Sequence, residues 1–189
     1  MAITEEKTEL RKFFKKLRAR LSAEQAAASS LAVARHILAC DAYRKARCIM
    51  GYLAFGNELS VDLVLRRALA DGKTVAVPLI TSATEMEAAL LGGMDDFELD
   101  RYGIRSVRQP AQLVQVAQLD LVLVPGVAFG RDGSRLGMGA GYYDRFLPQA
   151  ANAILMGIAY DELTADSLPR DEYDVIVQLL ASESGITTL

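Results

Sequence analysis

The sequence contains little histidine and little cysteine, and each shortage excludes a class of function. Its single histidine, His36, lies among Ala, Val, Ile and Leu, where we interpret it as a structural or surface residue. Histidine-dependent catalytic triads and His-rich metal sites are therefore excluded. Cys40 and Cys48 are too few for a disulfide framework and lack metal-ligand spacing, so we interpret them as reduced, buried thiols.

Excess charge and long hydrophobic runs are also absent. The net charge is −3, which gives no overall attraction to nucleic acid or to an anionic membrane. No uninterrupted apolar run approaches the length of a membrane span, and the first residues are charged and do not form a secretion signal. We therefore expect a soluble, cytoplasmic protein with neither nucleic acid nor membrane as a partner.

The composition is that of a globular protein. With 189 residues, of which 51% are hydrophobic and 24% charged, we expect one domain over residues 1–189. Apolar residues at helical spacing predict a first helix, with a basic ridge on another face. Ser22 and Gln25 form a capping box that predicts a second helix, running to about Ala39. The apolar positions of the first helix are Leu10, Phe13, Phe14, Leu17 and Leu21, and its basic positions are Lys7, Arg11, Lys15 and Arg18.

Short apolar runs predict buried strands between helices. Ser60 is the predicted cap of a helix that ends at Asp71-Gly72, between the first two strands, and this order predicts a right-handed parallel crossover. Little regular structure is expected over residues 95–109. The alternation predicts an α/β sandwich around a mainly parallel sheet. The predicted strands cover residues 48–55, 74–79, 85–91, 119–124 and 152–160.

A glycine-rich loop follows the clearest strand, which ends at Pro125-Gly126. Gly137, Gly139 and Gly141 stand at alternate positions, so a ligand can approach their backbone N–H groups, a feature suited to phosphate. A helix that starts near Gly141 would add its positive N-terminal end. The spacing matches neither the dinucleotide fingerprint nor a Walker loop. A tight surface turn remains the alternative.

Several charged residues are candidates for binding phosphate or a metal. Arg135, Lys7 and Arg11 can clamp phosphate, although for Lys7 and Arg11 the residues alone favour a solvated helix face. Asp144 follows the glycines, and a carboxylate there suits magnesium between it and a phosphate. Its alternative is an acid in the first helical turn. Asp174 can equally be a turn residue at a strand edge.

Other candidates concern an organic ligand. Glu58 falls near the end of the predicted strand 48–55, where active-site residues of α/β folds often lie, or else it is a simple loop acid. Tyr142 and Tyr143 can stack on a flat ligand or belong to the core of the following helix.

Taken together, these residues resemble the 5-formyltetrahydrofolate cyclo-ligase family, also called methenyltetrahydrofolate synthetases, over most of the chain. The resemblance implies a three-layer α/β/α sandwich, and we expect a monomer. It implies an ATP- and magnesium-dependent cyclisation of 5-formyltetrahydrofolate to 5,10-methenyltetrahydrofolate, with phosphorylation of the formyl oxygen and release of ADP and phosphate. The segments that carry it are 7–11, 52–58, 121–129, 133–137, 141–145, 157–160 and 174–175.

The resemblance also implies roles for individual residues. It assigns catalysis to Glu58, Arg135 and Tyr143. It assigns magnesium binding to Asp144 and Asp174. The folate is contacted by Leu53, Glu58, Gly139, Ala140, Gly141, Tyr142 and Tyr143. ATP is contacted by Lys7, Arg11, Arg135, Leu136, Gly137, Met138, Gly139, Ala140, Gly141, Tyr142 and Tyr143.

Two alternatives stay open at this point. One is an ATP-dependent paralogue that cyclises another N-formyl compound. The other is a non-catalytic nucleotide- or folate-binding module, against which the presence of Glu58, Asp144 and Asp174 argues, because binding alone would not require this acidic set.

Overall fold

The computed structural model describes residues 3–99 and 103–189. Its helices are α1 (Ile3–Arg18), α2 (Ala23–Ala39), α3 (Asp41–Lys45), α4 (Asp62–Ala70) and α5 (Tyr142–Phe146). Its strands are β1 (Cys48–Met50), β2 (Thr74–Ile80), β3 (Met86–Leu90), β4 (Phe97–Leu99), β5 (Arg105–Val107), β6 (Leu121–Val124), β7 (Ala128–Gly130), β8 (Arg135–Leu136), β9 (Ile154–Ile158), β10 (Thr164–Ala165), β11 (Leu179–Ser182) and β12 (Gly185–Thr188). Within the described ranges, no helix has the length and apolarity needed to cross a bilayer.

A seven-stranded sheet forms the centre of this described part, in the order β12-β11-β9-β6-β1-β2-β3. The strands from β11 to β2 pair in parallel, while β12 and β3 are antiparallel edges. Helix α4 lies in the chain between the parallel neighbours β1 and β2, as the sequence predicts. The predicted α/β fold with a mainly parallel sheet is confirmed.

Both faces of the sheet are covered by other elements. Successive strand residues point to opposite sides, so the apolar strands present apolar side chains on each face. Ile49, Leu121 and Leu123 belong to the core that contains apolar residues of α1, α2, α3 and α4. Met50 and Val122 face the other way, onto Phe146 of α5 and the 3-10 turn Leu147–Gln149. This second outer layer is thin, since α5 has only five residues. Near-continuous apolar strands are the pattern expected of a sheet buried on both faces.

The capping box is present at the start of α2. Ser22 Oγ accepts from the Gln25 backbone N–H at 3.1 Å, and Gln25 Oε1 accepts from the Ser22 N–H at 2.8 Å. The prediction for Ser60 is wrong, because α4 begins at Asp62 and Val61 is its N-cap. Ser60 Oγ instead accepts from the Asp62 N–H at 3.2 Å, which shapes the turn before the helix.

Two regions differ from their predicted secondary structure. The strand predicted over residues 48–55 ends at Met50, where the chain leaves the sheet and forms a loop. That loop is closed by Tyr52, whose hydroxyl donates to the Leu59 carbonyl at 2.7 Å. In the region 95–109, β4 and β5 pair as an antiparallel ladder, so the expectation of little regular structure is wrong.

Candidate active site

A cavity of about 1300 Å³ lies at the carboxyl ends of the central strands. Its wall includes residues that follow β1, residues that follow β6, the glycine loop, and one face of α1. Ligand pockets for one small molecule usually span about 300–1,000 Å³, so this cavity has room for more than one. The residues that the sequence singles out all line it: Lys7, Arg11, Leu53, Glu58, Arg135, Leu136, Gly137, Met138, Gly139, Ala140, Gly141, Tyr142, Tyr143, Asp144 and Asp174.

A hairpin stands between β6 and the glycine loop. The loop therefore does not follow the buried strand directly, as the sequence suggested, but leaves from β8, which pairs antiparallel with β7. The hairpin turns at Gly133, whose φ of +83° favours glycine. A Cβ there would lie 2.7 Å from the Val177 carbonyl oxygen, so the hairpin tip packs closely on the segment that carries Asp174. The hairpin thus holds two parts of the cavity wall together.

Two of the three glycines in the loop adopt a backbone conformation that favours glycine. Gly139 and Gly141 have φ values of +107° and +71°, which side chains disfavour. Arg11 fixes the loop to α1, because its Nε donates to the Gly137 carbonyl at 2.8 Å. Gly141 is the N-cap of α5, but that helix is too short for a large dipole, so the loop N–H groups matter more than the helix end.

Lys7 is buried, with 6% of its surface exposed, so its interpretation as part of a solvated helix face is wrong. Its Nζ donates to Asp171 Oδ2 at 2.7 Å and also to Asp174 Oδ2. Burial lowers the pKa of Lys7, but the two carboxylates outweigh that effect and raise it overall. The hydrogen bond from Lys7, helped by the Tyr173 N–H, lowers the pKa of Asp171. Lys7 is therefore a fixed cation.

Arg135 forms the second buried ion pair of the cavity. Its Nη2 donates to Asp144 Oδ1, and its guanidinium carbon lies 5.6 Å from the centre of the Tyr143 ring. Arg135 Nε and the Tyr143 hydroxyl are buried and have no hydrogen-bond partner among the described residues. Burial raises the pKa of Tyr143 well above its usual range, so the hydroxyl keeps its proton. Two donors that belong to residues of the cavity wall are therefore unsatisfied.

Glu58 lies in the loop after β1, at the cavity wall. Its Oε2 accepts from the Phe55 N–H at 3.1 Å, and its Oε1 lies 3.7 Å from Arg18 Nη1. Leu53 lines the cavity from the same loop. The loop thus presents one apolar and one acidic side chain to a ligand.

Sequence reasoning did not assign Asp171 or the Arg105–Asp62 pair to the site. Asp171 stands three residues before Asp174 and shares Lys7 with it, a spacing that could have drawn attention. Arg105 lines the cavity and donates to both Asp62 oxygens, at 2.7 and 3.0 Å. No motif surrounds Arg105, so only the three-dimensional structure brings it to this wall.

The arrangement defines a class of protein: an α/β fold with a large cavity for small molecules at the carboxyl ends of parallel strands. The family model of the 5-formyltetrahydrofolate cyclo-ligase family matches residues 3–182. The chain belongs to this family and is a ligase, which confirms the resemblance seen in the sequence.

Individual relatives agree with the family match. The chain is 30% identical to 5-formyltetrahydrofolate cyclo-ligase of Haemophilus influenzae, with 91% of this chain and 95% of that protein covered. It is 31% identical to a probable cyclo-ligase of Caenorhabditis elegans, covering 92% and 91%. The NMR structure of Aquifex aeolicus 5,10-methenyltetrahydrofolate synthetase superposes with a TM-score of 0.85 at 28% identity, covering 97% of this chain and 92% of that one.

Replacing Lys7 by Met tests its electrostatic role. Without the cation, the carboxyl of Asp171 should titrate closer to its ordinary pKa of 3.8, at higher pH than in the wild type. Since the folded pKa is depressed, the ion pair stabilises the fold above the ordinary value, and this contribution is lost as pH falls through the folded pKa. The measurement is a ¹³C NMR titration of the side-chain carboxyls.

Asp132 is the internal control of this titration. Burial opposes ionisation of Asp132, but hydrogen bonds from Ser134 prevail and lower its pKa without Lys7. Its titration should be the same in Lys7→Met and wild type. An Asp171 titration that is also the same in both proteins would contradict the role given to Lys7.

Proposed function

We propose that this chain catalyses the ATP- and magnesium-dependent cyclisation of 5-formyltetrahydrofolate to 5,10-methenyltetrahydrofolate, with release of ADP and phosphate. Family membership supports the cyclo-ligase reaction. The observation that carries the proposal is one cavity of about 1300 Å³ with two kinds of wall. One is a glycine loop with cations, suited to phosphates, and the other is the loop of Leu53 and Glu58, suited to a flat organic ligand.

In this proposal the phosphates of ATP bind at the glycine loop. The loop offers backbone N–H groups between Gly137 and Gly141, and its two residues of positive φ let a ligand approach without side chains in the way. Arg11 holds the loop through the Gly137 carbonyl and brings positive charge to it. Lys7 adds a second charge from the same helix, one helical turn earlier.

The residues fit a magnesium ion that is bound together with phosphate. Among the described residues, no group of three or more His, Cys, Asp or Glu side chains is arranged to hold a metal ion by itself. Magnesium in nucleotide sites needs only one or two carboxylates, with phosphate oxygens and water completing the shell. We assign Asp144 and Asp174 to it, and its chemistry there is neutralisation of phosphate charge. Lys7 and Arg135, which pair with these carboxylates, are then available to phosphate oxygens.

The folate binds against the loop after β1. Leu53 packs on the pterin, and Glu58 accepts hydrogen bonds from its N–H groups. Tyr143, whose buried hydroxyl lacks a partner among the described residues, donates to the formyl oxygen. Arg135 places its charge beside Tyr143, where the transferred phosphoryl group arrives.

The reaction then follows from alignment of the two substrates. The formyl oxygen attacks the terminal phosphorus of ATP, a new oxygen–phosphorus bond forms, and the bond to ADP breaks. The second folate nitrogen next attacks the activated formyl carbon, and its proton passes to water. The carbon–oxygen bond breaks, and the oxygen leaves as part of phosphate. The protein contributes by holding the reacting atoms in line and by opposing the negative charge on the phosphoryl oxygens.

We also infer where and in what state the enzyme acts. Cys40 and Cys48 are free thiols, which suits the reducing cytoplasm. Every residue assigned above lines one cavity of a single chain, which supports activity as a monomer.

The direct test is to combine the purified protein with 5-formyltetrahydrofolate, ATP and magnesium and to follow the absorbance of the methenyl product. We expect product only when all three are present. Folded protein that forms no product under these conditions would reject the proposal. Product formed from another N-formyl compound, but not from the folate, would instead identify a paralogue.

The role of Tyr143 is tested by comparing two Tyr→Phe variants. In Tyr143→Phe, kcat should fall about tenfold or more because a hydrogen bond to the reacting group is lost, while stability is retained because the hydroxyl has no partner in the described structure. Tyr43→Phe is the matched control, since its hydroxyl donates to Asp71 at 2.8 Å away from the cavity. It should lose about 1 kcal/mol of stability with kcat unchanged. Equal kcat values in Tyr143→Phe and the wild type would refute the assignment.

A further inference from the structure

We propose that Arg18 is a positioning residue that holds the Glu58 carboxylate in place for the folate; this inference rests on the proposed function. Arg18 is the last residue of α1, and its side chain is only 12% exposed. Its Nη1 lies 3.7 Å from Glu58 Oε1, and the Glu58 side chain is 17% exposed. Solvent screens the charges of such weakly exposed side chains poorly, so Arg18 and Glu58 each stabilise the charge of the other.

The carboxylate of Glu58 is held from two sides. The Phe55 N–H donates to Oε2 at 3.1 Å, from within the same loop, while Arg18 approaches Oε1 from α1. The first contact fixes the carboxylate to its own backbone. The second contact links the loop to a different element, so the orientation of the side chain depends on where α1 lies.

Arg18 acts from behind Glu58 rather than from the cavity. It lines a small void of about 10 Å³ together with Glu58 and Tyr52, and those two residues also line the main cavity. Arg18 itself is outside the set of described residues that form the main cavity wall. A ligand in the cavity therefore meets Glu58 and not Arg18, which limits Arg18 to an effect through Glu58.

The electrostatic surroundings agree with this arrangement. The titratable groups close to the pair include the hydroxyls of Tyr52, Tyr143 and Tyr160. Burial raises the pKa of Tyr52, Glu58 raises it further, and Arg18 opposes them. Burial also raises the pKa of Tyr143 and Tyr160, so these neighbours are neutral and Arg18 supplies the positive charge that balances the carboxylate.

The expected consequence is that Arg18 affects binding of the folate but not binding of ATP. A carboxylate accepts hydrogen bonds from the N–H groups of a pterin only while it is correctly oriented. A side chain that is already held loses less freedom when the ligand binds. Loss of Arg18 should therefore weaken binding of the folate and leave binding of ATP unaffected.

The experiment compares Arg18→Met with Lys16→Met in steady-state kinetics. Arg18→Met should raise KM for 5-formyltetrahydrofolate about tenfold, which is the contribution of one charged hydrogen bond between Glu58 and the folate. The KM for ATP should stay within about twofold. Lys16→Met removes the same charge from an exposed position of α1 and should change neither constant. Arg18→Lys keeps the charge with a shorter reach, and we expect a rise of about threefold in the folate KM.

The same substitution made in the Glu58→Gln protein distinguishes a positioning role of Arg18 from general damage to the structure. If Arg18 acts through Glu58, adding Arg18→Met to Glu58→Gln should change the folate KM by less than about twofold. A full additional tenfold effect, an unchanged folate KM in Arg18→Met, or equal rises in the two KM values would each overturn the proposal. If Arg18→Met does not fold, Arg18→Lys decides, and an unchanged folate KM there would overturn it.

Direct binding keeps this test distinct from that of the proposed function. The Kd of 5-formyltetrahydrofolate, measured by calorimetry without ATP, should rise in Arg18→Met by the same factor as KM. A wild-type protein that binds the folate but forms no product would reject the proposed function, while the Arg18 comparison could still be read from Kd. Equal Kd values in wild type and Arg18→Met would overturn the role of Arg18.

Discussion

The cavity depends on one buried cation, Lys7, which is held by two carboxylates from the other end of the chain. Asp171 and Asp174 lie 164 and 167 residues away in sequence, yet both accept from Lys7 Nζ. This contact ties α1 to the segment before β11, and the hairpin tip at Gly133 packs on the same segment. Three separate parts of the wall are thereby set relative to one another. A buried charge needs its partners, so removal of either side leaves the other uncompensated.

The same principle operates at the other charged groups of the cavity. Arg135 is paired with Asp144 in the cavity wall, and Arg18, which lies behind that wall, faces Glu58, so each of these cations has a carboxylate partner. In the proposed function, a ligand that carries both phosphates and a divalent ion exchanges the partners of Lys7 and Arg135 without leaving a charge unpaired. The exception is two buried donors, Arg135 Nε and the Tyr143 hydroxyl, which have no partner among the described residues.

Features that depend on neighbouring residues were predicted well from the sequence. The Ser22 capping box, the apolar strands and the alternate glycines depend on neighbours within a few residues, and the structure contains all three. Burial of Lys7 could not be predicted, because helical spacing alone cannot reveal two acids that fold back from far along the chain. The β7–β8 hairpin and the β4–β5 ladder were missed because they are only two or three residues long on each side, too short for periodicity to show. Residue roles within the cavity, whether suggested by the residues themselves or implied by the family resemblance, remain predictions.

The central claim is that the formyl oxygen is phosphorylated and leaves with the phosphate, and an isotope experiment tests it most directly. The substrate is 5-formyltetrahydrofolate labelled with ¹⁸O in the formyl group, turned over with unlabelled ATP and magnesium, and the released phosphate is analysed by mass spectrometry. The account predicts one ¹⁸O atom in each phosphate for every methenyl group formed. Unlabelled phosphate, with the ¹⁸O recovered in water, would contradict it, because the oxygen would then have left without passing through a bond to phosphorus.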